Sequence, residues 1–126
     1  MTQKPWYIEA RARAERFTNK IDRSRLLQFE ISSHDGAWYL HRPTDSVNLK
    51  ADRERLGLKA YVNKIDAYRT AVQTAIATDH RNLLLFGVGD YRPRIQVNGS
   101  EQVRIWHCNL RYTEERIVKE LLATHL

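Results

Sequence analysis

Hydrophobic positions change their period several times along this chain, and each change marks a predicted element. Ala10, Ala14, Phe17 and Ile21 recur at helical spacing, which predicts a helix from residue 7 to about 25. Leu27, Phe29 and Ile31 then alternate with Gln28, Glu30 and Ser32, the pattern of a half-buried strand. His34-Asp35-Gly36 supplies turn chemistry, and the aromatic stretch Ala37 to His41 reads as the returning strand, closed by Pro43.

Leu58, Tyr61, Ile65, Tyr68, Val72 and Ile76 carry a helical stripe, which predicts one long helix from about 51 to 78. Gly57 weakens its first turns, so a helix that starts only after it is the alternative. Leu83 to Val88 is a short apolar run suited to a buried strand. Arg94 to Val97 and Val103 to Leu110 flank Asn98-Gly99-Ser100, a strong hairpin signal. Thr113 is placed to cap a last helix whose apolar face is Ile117, Val118, Leu121 and Leu122, with Glu114 and Glu115 near its positive end.

The predicted order is α-β-β-α-β-β-β-α in a single α+β domain over residues 1–126. Hairpin-linked strands pair antiparallel, so the expected architecture is an antiparallel sheet built from two hairpins with helices packed on it.

Composition adds a charge to this outline. Lys and Arg total 21 against 15 Asp and Glu, a formal charge of +6. Such a surface attracts polyanions, and nucleic acid, RNA or DNA, is the commonest of these in a cell. The single cysteine, Cys108, forms no internal disulfide and favours a reducing compartment. The opening residues lack a signal-peptide pattern and no apolar run spans a bilayer, so a cytoplasmic protein without membrane association is expected.

Two places concentrate cations. On the first predicted helix, Arg13, Arg16, Lys20 and Arg23 fall in one sector beside the apolar stripe, a row able to track phosphates with its planar donor forks. On the last predicted hairpin, if Ile95, Val97, Val103 and Ile105 face the core, the opposite face presents Arg94, Gln96, Gln102, Arg104 and Trp106. An arginine beside an aromatic ring on a sheet surface suits phosphate binding and base stacking. Trp106 packed under a helix is the plainer alternative.

Catalytic motifs are absent: the chain has no P-loop, CxxC pair, HExxH or dinucleotide fingerprint. His34 with Asp35, and His41 across the same hairpin, form a candidate acid–base pair or half of a metal site. His107 and Cys108, adjacent on a strand, point to opposite faces and do not serve one centre. No cofactor and no metal site are expected. Gly89-Asp90-Tyr91-Arg92, a following strand, and Arg111 before a short helix resemble the C-terminal half of RelE-type ribonuclease toxins. That resemblance implies RNA contact and cleavage, with Arg92 and Arg111 as the matching residues.

The expected function is that of a small basic nucleic-acid-binding or nucleoprotein-complex protein, non-enzymatic. The alternatives are a RelE-like RNA-cleaving toxin, or a protein-interaction or assembly factor using exposed members of its three Trp and six Tyr.

Overall fold

A computed structural model describes residues 4–88, 95–98, 101–108 and 110–123, with backbone alone described for 95–98, 101 and 102. The protein is α+β, and its chain divides into two compact units: Arg23–Cys108, and Met1–Asp22 together with Asn109–Leu126.

The larger unit holds a five-stranded sheet of β1 (Leu26–His34), β2 (Ala37–His41), β3 (Asn82–Phe86), β4 (Ile95–Asn98) and β5 (Glu101–Cys108), in the order β2-β1-β3-β5-β4. β1 and β2 form the expected hairpin, closed by Asp35 and Gly36 at φ 51° and 80°. Two consecutive residues with positive φ make the tight turn whose twist matches that of the strands. β4 and β5 form the second antiparallel pair.

Between the hairpins the expectation fails, because β1 pairs parallel with β3, and β3 pairs parallel with β5. The sheet is therefore mixed, with three parallel strands inside two antiparallel edges. The cause lies in the strand order: successive strands alternate in direction along the chain, and the sheet sets β1, β3 and β5, which run the same way, side by side while β2 and β4 fold out to the edges. β3 bears the mark of this, since all five of its residues are buried. Strands covered on both faces carry continuous apolar runs rather than alternation.

The predicted long helix is two elements, α2 (Lys50–Arg55) and α3 (Lys64–Ala77). Gly57 is the break. At φ 67° it adopts the left-handed conformation that ends a helix, and its N–H donates to the Glu54 carbonyl while the Leu58 N–H reaches back to Arg53. The chain after it runs extended, and Tyr61 exchanges two backbone hydrogen bonds of 2.8 Å with Trp38 at the edge of β2.

α3 covers one face of the sheet. Its deepest residues are Ala67, Ala71 and Ala75, all fully buried and one turn apart, with Tyr68 and Val72 beside them. Small side chains on that stripe bring the helix backbone close to Ile31, Leu83, Leu85, Val103 and Ile105. Ile65 and Ile76 lie at the margin of this core, and Tyr61 joins it from outside the helix.

In the smaller unit, α1 (Pro5–Lys20) packs against α4 (Tyr112–Ala123). α1 ends at Lys20, earlier than expected, so Arg23 and Arg25 lie outside the helix. Ala10, Ala14 and Ile21 are buried as their spacing predicted, with Thr18 buried among them. α4 buries Ile117, Val118 and Leu122. Its start is capped differently from the expectation. Glu114, not Thr113, makes the capping contact, accepting the Arg111 N–H at 3.2 Å on Oε2. Among the described residues no helix is long and apolar enough to cross a membrane.

Candidate nucleic-acid interface

The cations proposed on α1 separate into three groups. Arg13 donates its Nε–H to Oε1 of Glu114, whose side chain is buried. Glu114 thus binds a guanidinium through one oxygen and the N-cap backbone through the other, and Arg13 is a structural link between the two helices. Arg16 and Lys20 are exposed on α1. Arg23 is exposed as well, but it belongs to the segment leading into β1 and to the other unit. The four-member row on one helical sector does not exist, because the helix stops before its last member.

The last hairpin is also rearranged. Its register sets Ile95 opposite Arg104 and Gln96 opposite Val103, one position out of step with the expected grouping. Arg94 lies outside the described residues. Val103 and Ile105 are buried in the core under α3, so Arg104 and Trp106 belong to the opposite face. Arg104 is exposed, Trp106 is half-buried, and the guanidinium carbon stands 5.9 Å from the ring centroid.

Around this pair the mixed sheet assembles residues that the sequence pattern did not single out. Arg25 immediately precedes β1, Arg81 immediately precedes β3, and Arg104 lies near the start of β5. Parallel pairing brings these strand starts to one end of the sheet. Backbone hydrogen bonds tie them together: the Arg25 carbonyl accepts from Arg81 at 3.1 Å and Asn82 at 3.3 Å, and the Arg81 carbonyl accepts from Arg104 at 2.8 Å. All three arginines are exposed, and so is Arg23 just before them. One carboxylate partially offsets this charge. Asp79, in the turn between α3 and β3, accepts a 2.8 Å hydrogen bond from Arg25 Nη1. Arg25 and Asp79 both have positive φ, at 48° and 57°, so the backbone of two tight turns sets this pair.

Asn82 organises the corner from beneath. Its buried amide donates from Nδ2 to the Ser24 carbonyl at 2.8 Å and accepts the Trp106 indole N–H on Oδ1 at 3.1 Å. The two contacts fix the amide orientation, since a carbonyl only accepts and an indole only donates. One side chain therefore fastens the segment before β1 to the ring on β5, across the strand between them.

The remaining chemistry-bearing groups are spread out. His107 Nε2 lies 3.1 Å from the Tyr68 hydroxyl, whereas Cys108 is buried on the other face, as strand alternation requires. His80 contacts Thr78 at 2.6 Å. No group of three or more His, Cys, Asp or Glu among the described residues is arranged to hold a metal ion. On the first hairpin, His34 and His41 do come together, both within hydrogen-bond reach of Ser32. Gly89 to Arg92 lie outside the described residues, and Arg111 is exposed at the start of α4.

No protein-family model, curated protein or solved structure matches this chain.

Proposed function

We propose that this protein binds single-stranded nucleic acid at the end of the sheet where its parallel strands begin, acting in the cytoplasm. The observation that carries this reading is the gathering of three exposed arginines, Arg25, Arg81 and Arg104, at the end of the sheet where three neighbouring parallel strands begin, with Trp106 fixed on the same strand as the last of them. From β1 to β5 is two strand spacings, about 10 Å. A cluster of that width meets more than one phosphate, and each guanidinium offers a planar fork to phosphate oxygens. Gathering three cations at one corner, with Asp79 as their paired acid, is unfavourable until an anion arrives. A half-buried indole held by its N–H keeps a π-face for stacking while losing little conformational freedom on binding. Single strands fit better than duplex, because an unpaired strand can lay phosphates along the arginines and turn a base toward the ring.

Fluorescence anisotropy with labelled single-stranded RNA, single-stranded DNA and duplex DNA tests this. Single strands should bind more tightly than duplex at physiological salt. The Arg81→Glu, Arg104→Glu double variant should bind them about 10- to 100-fold more weakly, with a salt slope lower by at least about 1.4 from the two lost cations. Equal, salt-abolished binding of all three ligands by the native protein would contradict the proposal.

A further inference from the structure

The β1–β2 hairpin holds a second assembly, in the same unit and built from different residues. Strand alternation puts Ile31, Trp38 and Leu40 with the core under α3, and puts Glu30, Ser32, His34, Tyr39 and His41 on the opposite face. The register sets Ser32 opposite Tyr39 and Glu30 opposite His41. His41 is buried, 3% exposed, although its type is seldom so.

Hydrogen-bond chemistry fixes where the protons of this group lie. His41 Nδ1 is 2.8 Å from the Arg42 carbonyl, which only accepts, so Nδ1 carries a hydrogen. In the neutral ring Nε2 then holds a lone pair. Its partner, 2.8 Å away, is Ser32 Oγ, so the serine hydroxyl donates to the imidazole. The same oxygen keeps lone pairs to accept, and His34 Nε2 stands 3.0 Å from it. One arrangement of hydrogens satisfies all three contacts with both rings neutral: His34 donates to Ser32, Ser32 donates to His41, and His41 donates to the backbone.

This is the order of parts in an activated nucleophile: a hydroxyl on a base, and the base held in one tautomer by a third group. We infer that Ser32 is the nucleophile of an acyl-transfer site, with His41 as its general base. His34 is a positioning residue that holds Oγ between the two rings. A neutral ester carbonyl is the fitting electrophile. The nearby buried guanidinium, Arg53, spends both Nη atoms on the Val47 and Asn48 carbonyls and on Asp35, and only its Nε is without a partner, so it presents no free pair of donors to a phosphate. In the first step Oγ bonds to the ester carbon and its proton passes to His41 Nε2. The C–O bond to the alcohol then breaks, and the departing oxygen takes that proton from His41. Water repeats the sequence: it gives a proton to His41, attacks the acyl carbon, and Ser32 Oγ leaves with the proton returned. Atoms and charge balance without a metal or a redox partner.

A fluorophosphonate probe tests this, since it reacts with an activated serine by forming an Oγ–P bond and expelling fluoride. Incubation of the full-length protein with excess probe, followed by intact mass and peptide mapping, should show one adduct on Ser32. Ser32→Ala should abolish it, and Ser33→Ala, on the other face of the strand, should leave it unchanged. His41→Gln should slow labelling by about 100-fold or more, the usual contribution of a general base. His34→Ala should slow it less, with partial recovery in His34→Gln, which restores an N–H donor. Circular dichroism establishes that each variant is folded. Absence of an adduct on the native protein, or an adduct that survives in Ser32→Ala, overturns the proposal, and neither result depends on a variant folding. Nucleic-acid binding at the arginine corner stands or falls separately, because none of these residues belongs to it.

Discussion

Helix α1 and the start of the parallel strands are both rich in cations, and they hold them in different ways. On α1, Arg11 pairs with Glu15 one turn on, and Arg13 is drawn down to the buried Glu114, which leaves Arg16 and Lys20 exposed. At the strand starts, Arg81 and Arg104 stand exposed on adjacent strands, and Arg25 shares its charge with one exposed carboxylate. A helix spreads its cations along an axis, with acids interleaved at the spacing that neutralises them. A sheet places residues far apart in sequence one strand spacing apart in space, with no local acid between them. The second arrangement concentrates charge, and charge concentration is what a phosphate backbone responds to.

Arg53 provides the strongest contrast with the exposed arginines, and the largest effect. It is 3% exposed, hydrogen-bonds two carbonyls and Asp35, and lies 5.1 Å from the centroid of the Tyr39 ring. Arg53→Ala should cost about 3 kcal/mol in urea denaturation, because it strips partners from buried carbonyls and leaves a void. Arg81→Ala and Arg104→Ala should each change stability by no more than about 0.5 kcal/mol. A large stability loss in the exposed pair would mean that they are structural, like Arg53.

Glu114→Ala comes next. Removing a buried carboxylate that serves both Arg13 and the N-cap should destabilise the protein by about 2 kcal/mol. Nucleic-acid affinity should not fall, since the freed Arg13 adds exposed positive charge. A drop in affinity with the fold intact would return α1 to the interface. Asn82→Ala should cost about 1–2 kcal/mol and shift Trp106 emission to the red as the indole loses its anchor. The smallest effect belongs to Arg16→Glu with Lys20→Glu, which should weaken single-strand binding by less than about threefold through net charge alone.

Much of the fold was legible because local rules govern it. Apolar alternation located β1, the Asp35-Gly36 turn located the hairpin, and helical spacing located α1 and α4. The middle helix was drawn too long at its start: the left-handed Gly57 ends α2, and Leu58 and Tyr61, counted as the first members of the stripe, lie in the chain between Gly57 and α3. The strand directions were misread because turn chemistry reports pairing within a hairpin and says nothing about pairing between hairpins.

That second error also hid the candidate site. If β1, β3 and β5 ran in alternating directions, Arg25 and Arg81 would lie at opposite ends of the sheet and the arginines would not gather. Once the strands are parallel, an arginine at the start of each is a visible signal, and the fully buried run of β3 was the clue to that direction. Arg104 and Trp106 were legible as a pair from their spacing on one strand. Asn82 was not, because its role depends on Ser24 and Trp106, which only the folded sheet brings within reach. His34 and His41 were legible as neighbours across a hairpin, but Ser32 was missed as the group between them, because a serine in an alternating strand looks like any outward polar residue.

The most direct test is a side-by-side titration of single-stranded RNA at physiological salt with three proteins: native, Arg81→Glu with Arg104→Glu, and Arg16→Glu with Lys20→Glu. The two variants carry the same change in net charge. Binding at the strand starts predicts a loss of about 10- to 100-fold for the strand-start variant and less than about threefold for the helix variant. Equal losses in both would contradict it, since binding would then follow total charge and not the corner where the parallel strands begin.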